Sequence, residues 1–230
     1  MGNISNFRFE KMKRQFKNMK TSLNGDNKNM LFVILAVIVG IIVVSRVLSG
    51  LFATPMTYIL IGINLAVFAA VYFKRLFVYN LGTSYEMTIR KKEYYRIVTS
   101  AFTHQEPLHI LMNMYSLYNI GTILERFMGS IRFTVFYVII MIAGGFLSAN
   151  IHKEKDPQVF SIGASGVICG LLGMYMVIVF VYMGFSGIRG CLPTILLLVL
   201  MTFSKKIDSI GHFSGLLVGL VCGIILLFVR

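Results

Sequence analysis

Residues 163–173 read GASGVICGLLG, which places a serine among small residues at the start of a long apolar run. The last apolar run opens in the same manner, with GHFSGLLVGLVCG at residues 211–223. Glycine recurs every three or four residues in both runs, so each predicted helix carries one face of glycines. Such faces let two helix backbones approach closely in lipid. If the two helices pack in parallel, Ser165 and His212 come to the same depth.

The composition is that of a polytopic membrane protein. Of the 230 residues, 57% are hydrophobic and only 13% are charged. Several apolar runs approach the roughly 20 residues that a helix needs to cross a bilayer. The short alternating segments of a β-barrel are absent from the sequence. We therefore predict an all-α fold with seven spans, at about residues 30–45, 55–73, 109–124, 133–149, 165–185, 191–203 and 209–229.

Charge and polarity divide the chain into a basic N-terminal tail (1–29), a first transmembrane helix (30–48) and a core (54–230). The net charge of +13 lies outside the apolar runs and indicates loops that face lipid headgroups rather than nucleic acid. The tail either lies on an anionic membrane surface as an amphipathic segment or is a flexible, solvated chain. Packing is the expected role of the three cysteines, Cys169, Cys191 and Cys222.

Ser165 and His212 are the candidate catalytic residues. A lone serine in a membrane helix usually bonds to a backbone carbonyl, but a serine beside a histidine is the minimal nucleophile and base for acyl transfer. The acidic residues all lie outside the apolar runs, so we expect a dyad with no buried carboxylate. Asp208, one turn before His212, is expected to cap the last helix.

Candidate donors for an oxyanion lie on another predicted helix. His109 and Asn113 are one turn apart and face the same way. With the backbone N–H of Ser165, they could bind a developing negative charge. Alternatively, Asn113 only bridges helices. Polar groups at membrane depth, here Asn113 and Asn119, are expected to face the bundle interior or a cavity. A metal-handling site at His104, His109 and His212 is a further alternative, although no carboxylate or cysteine stands at ligand spacing.

Taken together and in this order, the motifs resemble those of the rhomboid family of intramembrane serine proteases. The resemblance covers about residues 54–229. It rests on the GxSG motif at 163–166, the HxxxN motif at 109–113 with His104 upstream, and the glycines of 211–219. Tyr95-Arg96 stands where the family usually has Trp-Arg, and Glu125 with Gly129 matches an ExxxG element. Cys169 stands where many members carry an aromatic residue.

The resemblance implies a function and a role for each motif residue. Ser165 would be the nucleophile and His212 the general base. Asn113, His109 and the Ser165 amide would form the oxyanion hole, with Gly163 shaping the turn. The fold would be a six-helix bundle with one extra N-terminal transmembrane helix, and residues 191–203 would form a lateral gate.

The implied substrates are single-pass transmembrane proteins in the lipid bilayer, cleaved near small residues where the helix unwinds. No cofactor, metal or nucleic acid is expected. The alternative function is a catalytically inactive rhomboid-like protein that binds transmembrane clients, against which the intact motif residues argue.

The expected location is the cell membrane, as a multi-pass protein. In bacterial six-helix members the N-terminus is cytoplasmic and the active site faces outward. One added span would then place the basic tail outside, against the positive-inside rule. We favour the outward active site. An inverted core, resembling mitochondrial one-plus-six members, or a first run that only dips into the membrane are the alternatives.

Overall fold

The computed structural model describes residues 54–73, 78–155, 157–189 and 208–229, with a few isolated positions besides. The predicted tail, first transmembrane helix and lateral gate lie outside these ranges. The described segments are α1 (Pro55–Phe73), α2 (Val78–Leu81), a π-helical turn (Tyr85–Arg90), α3 (Tyr95–Phe102), α4 (Pro107–Met128), α5 (Ser130–Lys155), α6 (Ser165–Ile188) and α7 (Ser209–Phe228).

Four of the described helices, α1, α5, α6 and α7, are long and apolar enough to cross a membrane. This confirms the all-α polytopic class. Helix α4 has 22 residues, enough to cross, but it is more polar. Its polar residues Asn113, Ser116 and Glu125 are buried, whereas Leu111 and Tyr115 are exposed. The polar residues of α4 therefore face the bundle together with buried apolar residues such as Ile110 and Leu117, and its other apolar side chains face outward.

The two asparagines of α4 behave differently. Asn113 is fully buried, as predicted. Asn119 is partly exposed, and its Nδ2 donates to the carbonyl oxygen of Tyr115 on the same helix. The prediction that Asn119 faces the bundle interior is therefore wrong, because an asparagine can satisfy its amide on the preceding turn without a partner helix.

The polar connections carry more helix than the sequence predicts. Helix α5 continues to Lys155, through residues predicted as a loop from 150 to 158. These residues continue the backbone hydrogen bonds of the helix beyond its apolar part, and the buried His152 gains a partner there in Asp208. The long connection before α4 holds α2, the π-helical turn and α3. It thus carries its own structure, as its length predicts.

Arg96 organises that connection from within. Its side chain is buried, and Nη1 donates to the carbonyl oxygens of Tyr79 at 2.7 Å and Gly82 at 3.0 Å. Nε donates to the Glu93 carboxylate. A buried guanidinium is tolerated only when its donors are used in this way. The connection is consequently folded around one side chain.

A buried carboxylate lies at the junction of α4 and α5, where it bonds to the start of α1 and not to the dyad. Glu125 is fully buried. Its donors are the amides of Met56 and Thr57 and the hydroxyls of Thr57 and Ser130. A negative charge at the start of α1 satisfies N–H groups that have no partner within that helix. Burial of this acid is therefore compensated by the helix terminus that it caps.

The glycine faces of α6 and α7 pack backbone to backbone. A Cβ at Gly215 would overlap the carbonyl oxygen of Gly166, and one at Gly219 would overlap that of Gly170. The paired residue numbers rise together along both helices, so the helices run parallel. The packing is close and parallel, which is the condition under which Ser165 and His212 come to the same depth.

Around this contact, the largest fully buried side chains fill the space between α4, α5 and α6. They are Ile110, Leu117, Ile120, Leu124, Phe133, Tyr137, Ile140, Ile168, Leu171 and Met174.

The close contact predicts that Gly219→Ala destabilises the bundle. The added methyl group must push α6 and α7 apart, at a cost of roughly 1–3 kcal/mol. Gly62→Ala on α1 is the matched control, because no neighbouring atom lies within 4 Å of the place its Cβ would take. Alanine there should be neutral or stabilise by up to about 1 kcal/mol through helix propensity. Thermal unfolding of both variants in detergent measures the difference. Equal midpoints for the two variants would contradict the packing described.

Candidate active site

Ser165 and His212 are in contact at the end of the bundle where α6 and α7 begin. His212 Nε2 lies 2.7 Å from Ser165 Oγ, and the residues are 8% and 6% exposed. Ser165 is the first residue of α6, and His212 is in the first turn of α7. The parallel glycine contact therefore brings two helix starts, and with them these two side chains, to one depth. With its Nε2 unprotonated, the imidazole accepts a hydrogen bond from the serine hydroxyl.

Gly163 occupies a position that only glycine fits. Its φ of +108° lies in the left-handed region, which side chains avoid. A Cβ there would lie 2.7 Å from His109 Cε1 and 2.8 Å from His109 Nε2. Both the backbone conformation and the space require glycine, so the predicted role of Gly163 in shaping this turn matches its geometry.

Side-chain nitrogens of α4 converge on the same point beside Gly163. Measured from the place of the missing Cβ, His109 Nε2 is at 2.8 Å and Asn113 Nδ2 at 3.5 Å. The neighbouring amide of Ser165 is in the first turn of α6, where N–H groups have no acceptor within the helix. The structure thus brings His109 and Asn113, two of the groups predicted as oxyanion donors, to the turn that leads into Ser165. Such an arrangement can stabilise an oxygen that gains negative charge.

His104 holds the Asn113 side chain by a hydrogen bond. Its ring is fully buried, with Nε2 2.8 Å from Asn113 Nδ2 and 3.4 Å from the amide of Ala164. Burial, with a smaller contribution from the nearby His109, lowers the pKa of His104 to about 3. The ring is therefore neutral at pH 7, and its Nε2 accepts from both groups.

From the sequence, His104 is expected only upstream of the HxxxN motif or in a metal site, and its contact with Asn113 is not predicted. Nine residues separate His104 from Asn113, and no helical periodicity joins them. Among the residues that the structure describes, no three His, Cys, Asp or Glu side chains are grouped to hold a metal ion.

A cavity of about 430 Å³ opens beside Ser165 and His212. His109 and Gly163 also line it, together with apolar side chains. It lies at the end of the bundle where α4, α6 and α7 begin and α5 ends. Its volume is in the range of small-ligand sites, so it can hold a few residues of an extended peptide but not an intact helix of 10–12 Å diameter.

The cysteines are consistent with packing roles. Cys169, one turn after Ser165, and Cys222 on α7 are both buried free thiols. Cys191 lies outside the described residues.

Comparison with known proteins places these observations in one family. A model of the Rhomboid domain matches residues 91–228. RHOMBOID-like protein 5 of Arabidopsis thaliana is 30% identical over 152 residues, which are 64% of this chain and 48% of that protein. Rhomboid-like protease 3 of Toxoplasma gondii is 30% identical over 152 residues, covering 62% of this chain and 56% of that protein.

A mitochondrial relative also matches. Rhomboid protein 1, mitochondrial, of Saccharomyces cerevisiae is 32% identical over 126 residues, covering 52% of this chain and 35% of that protein. The chain thus spans about half or less of the length of most of the curated relatives it matches. The domain match extends over more than half of the chain and includes both helix starts that meet at the cavity. This multi-pass membrane protein belongs to the rhomboid family.

Proposed function

We propose that the chain is an intramembrane serine endopeptidase that cleaves transmembrane helices with a Ser165–His212 dyad. One observation carries the proposal: the 2.7 Å contact between Ser165 Oγ and His212 Nε2 lies beside three candidate oxyanion donors, at a cavity within a membrane bundle. The names of relatives support it, since one of them is called a rhomboid-like protease.

The geometry supports the ordinary steps of acyl transfer. Ser165 Oγ attacks the carbonyl carbon of a peptide bond while its proton passes to His212 Nε2. The carbonyl oxygen becomes an oxyanion held by Asn113, His109 and the Ser165 amide. The tetrahedral species collapses as His212 returns the proton to the leaving amine, and the serine ester remains. Water then attacks the ester by the same route, which releases the acid and restores the serine.

The size of the cavity determines what can react. A helix inside the bilayer has its peptide groups paired, and unpairing them in lipid costs several kcal/mol for each group. The cavity offers polar groups to an unwound segment, so substrates are single-pass transmembrane proteins whose helix opens near small residues. We place the enzyme in the cell membrane. The three-part division of the chain and the outward orientation of the site belong to the same proposal.

Ser165→Ala should abolish cleavage. The variant lacks the nucleophile, and loss of such a residue removes roughly 10⁶-fold in kcat in serine proteases. The assay is cleavage of a single-pass substrate in proteoliposomes, with equal protein confirmed by immunoblot. Ser186→Ala is the control, because within the described part of the chain this exposed serine at the other end of α6 bonds to its own helix, at Met183. Wild-type cleavage by Ser165→Ala would refute the dyad. Absence of labelling of the wild type by a serine-directed probe would favour the inactive, client-binding alternative.

Asn113→Ala should lower kcat by roughly 10² to 10³ with little change in KM, as loss of one oxyanion donor does elsewhere. The same helix offers a matched control in Asn119→Ala, whose amide bonds to the carbonyl of Tyr115 away from the cavity. Kinetics in detergent micelles separate kcat from KM. If both variants lose the same activity, the asparagine acts through the helix and not through the oxyanion.

A further inference from the structure

The Asp208 carboxylate joins three parts of the chain. Five groups donate hydrogen bonds to it: the amides of Ile210 and Gly211, the Nε2–H of His152, and the hydroxyls of Ser148 and Ser161. The side-chain donor distances are 2.8 Å from His152, 2.5 Å from Ser161 and 3.4 Å from Ser148. Helix α5, the segment before α6 and the start of α7 therefore share one acceptor.

This is more than a helix cap requires. An N-cap side chain accepts from one or two amides, and Asp208 does so as predicted. Burial alone would raise the pKa of Asp208, but the bonds from Ser161 and Gly211 and the nearby His152 hold it below its ordinary value. The carboxylate is thus charged at neutral pH. Gly211 makes room for it, because a Cβ there would lie 2.7 Å from Asp208 Oδ2.

The bond from Ser161 connects the two catalytic side chains by short paths. Ser161 lies four residues before Ser165, and Asp208 lies four residues before His212. Ser161 also exchanges backbone hydrogen bonds with Thr83 in both directions, at 2.9 and 3.0 Å. The start of this segment is thus tied to Thr83 by its backbone and to α7 through the Asp208 carboxylate.

We propose that Asp208 is a positioning residue, whose bond to Ser161 sets the place of the Ser165 nucleophile relative to the helix that carries His212. The proposal rests on the proposed function and deepens it. Asp208 borders the same cavity as the dyad, but it acts through Ser161 and not on the substrate. Displacement of reacting atoms by about 1 Å can cost about 10²-fold in rate, so a tie of this kind affects turnover more than binding.

Two variants remove the hydrogen bond between Ser161 and Asp208, each at one of its two partners. Asp208→Ser retains an N-cap side chain, but the serine is too short to reach Ser161 and His152. Ser161→Ala removes the donor alone. Each should lower kcat roughly tenfold to a hundredfold with KM nearly unchanged. The kcat of the double variant should be no lower than that of Asp208→Ser, because both changes break the same hydrogen bond. Asp208→Asn, which retains the length and an acceptor, should recover most of the loss, and Ser186→Ala serves as the neutral control.

Hydrogen exchange provides a readout that does not need catalysis. Amide exchange over residues 161–166 should rise in Asp208→Ser and in Ser161→Ala relative to the wild type. If the wild type cleaves no substrate while exchange rises in both variants, the proposed function fails and the tie stands. The positioning role is overturned if Ser161→Ala keeps the wild-type kcat and the wild-type amide exchange, or if kcat falls without faster amide exchange. It is also overturned if the kcat losses of the two single variants multiply in the double variant, or if Asp208→Asn is as impaired as Asp208→Ser.

Discussion

The backbone contact between α6 and α7 is the constraint on which the site depends. In lipid, apolar side chains gain little by moving from tails to a protein neighbour, so helices associate through close packing. Glycines 215 and 219 allow the carbonyls of Gly166 and Gly170 to lie where a Cβ would otherwise be. Because the contact is parallel and begins in the first turn of each helix, the residues at the two helix starts come within hydrogen-bond distance.

Charged side chains at the helix ends hold the rest of the bundle. Glu125 caps α1, Arg96 gathers the carbonyls of the connection before α4, and Asp208 joins α5 and α7 to the segment before α6. Each has several hydrogen-bond partners, which compensates the cost of removing a charge from water. The cavity is lined by Asp208 and by Thr83, which follows the Gly82 carbonyl that Arg96 binds, so the polar groups that fold the loops also define the surroundings of Ser165.

Patterns along the chain predicted the spans, the glycine contact and the meeting of Ser165 with His212, because helical periodicity relates residues three or four apart. Two features have one cause that no local pattern shows. Glu125 is buried by a helix terminus distant in sequence, and His152, beyond the apolar part of α5, contacts Asp208. Each depends on a partner far along the chain. Asn119 differs, because it satisfies its amide on the preceding turn of its own helix.

The sequence by itself determined the membrane class, the family and the residues able to carry the chemistry, since length, hydropathy and motif spacing are properties of the chain. Only the tertiary structure decided which polar groups share a partner. The contact of His104 with Asn113 and the five donors on Asp208 join residues up to 60 positions apart. Such contacts form only when packed helices bring loop and helix ends together, because an unpaired buried polar group is costly and must find a partner in space rather than in sequence.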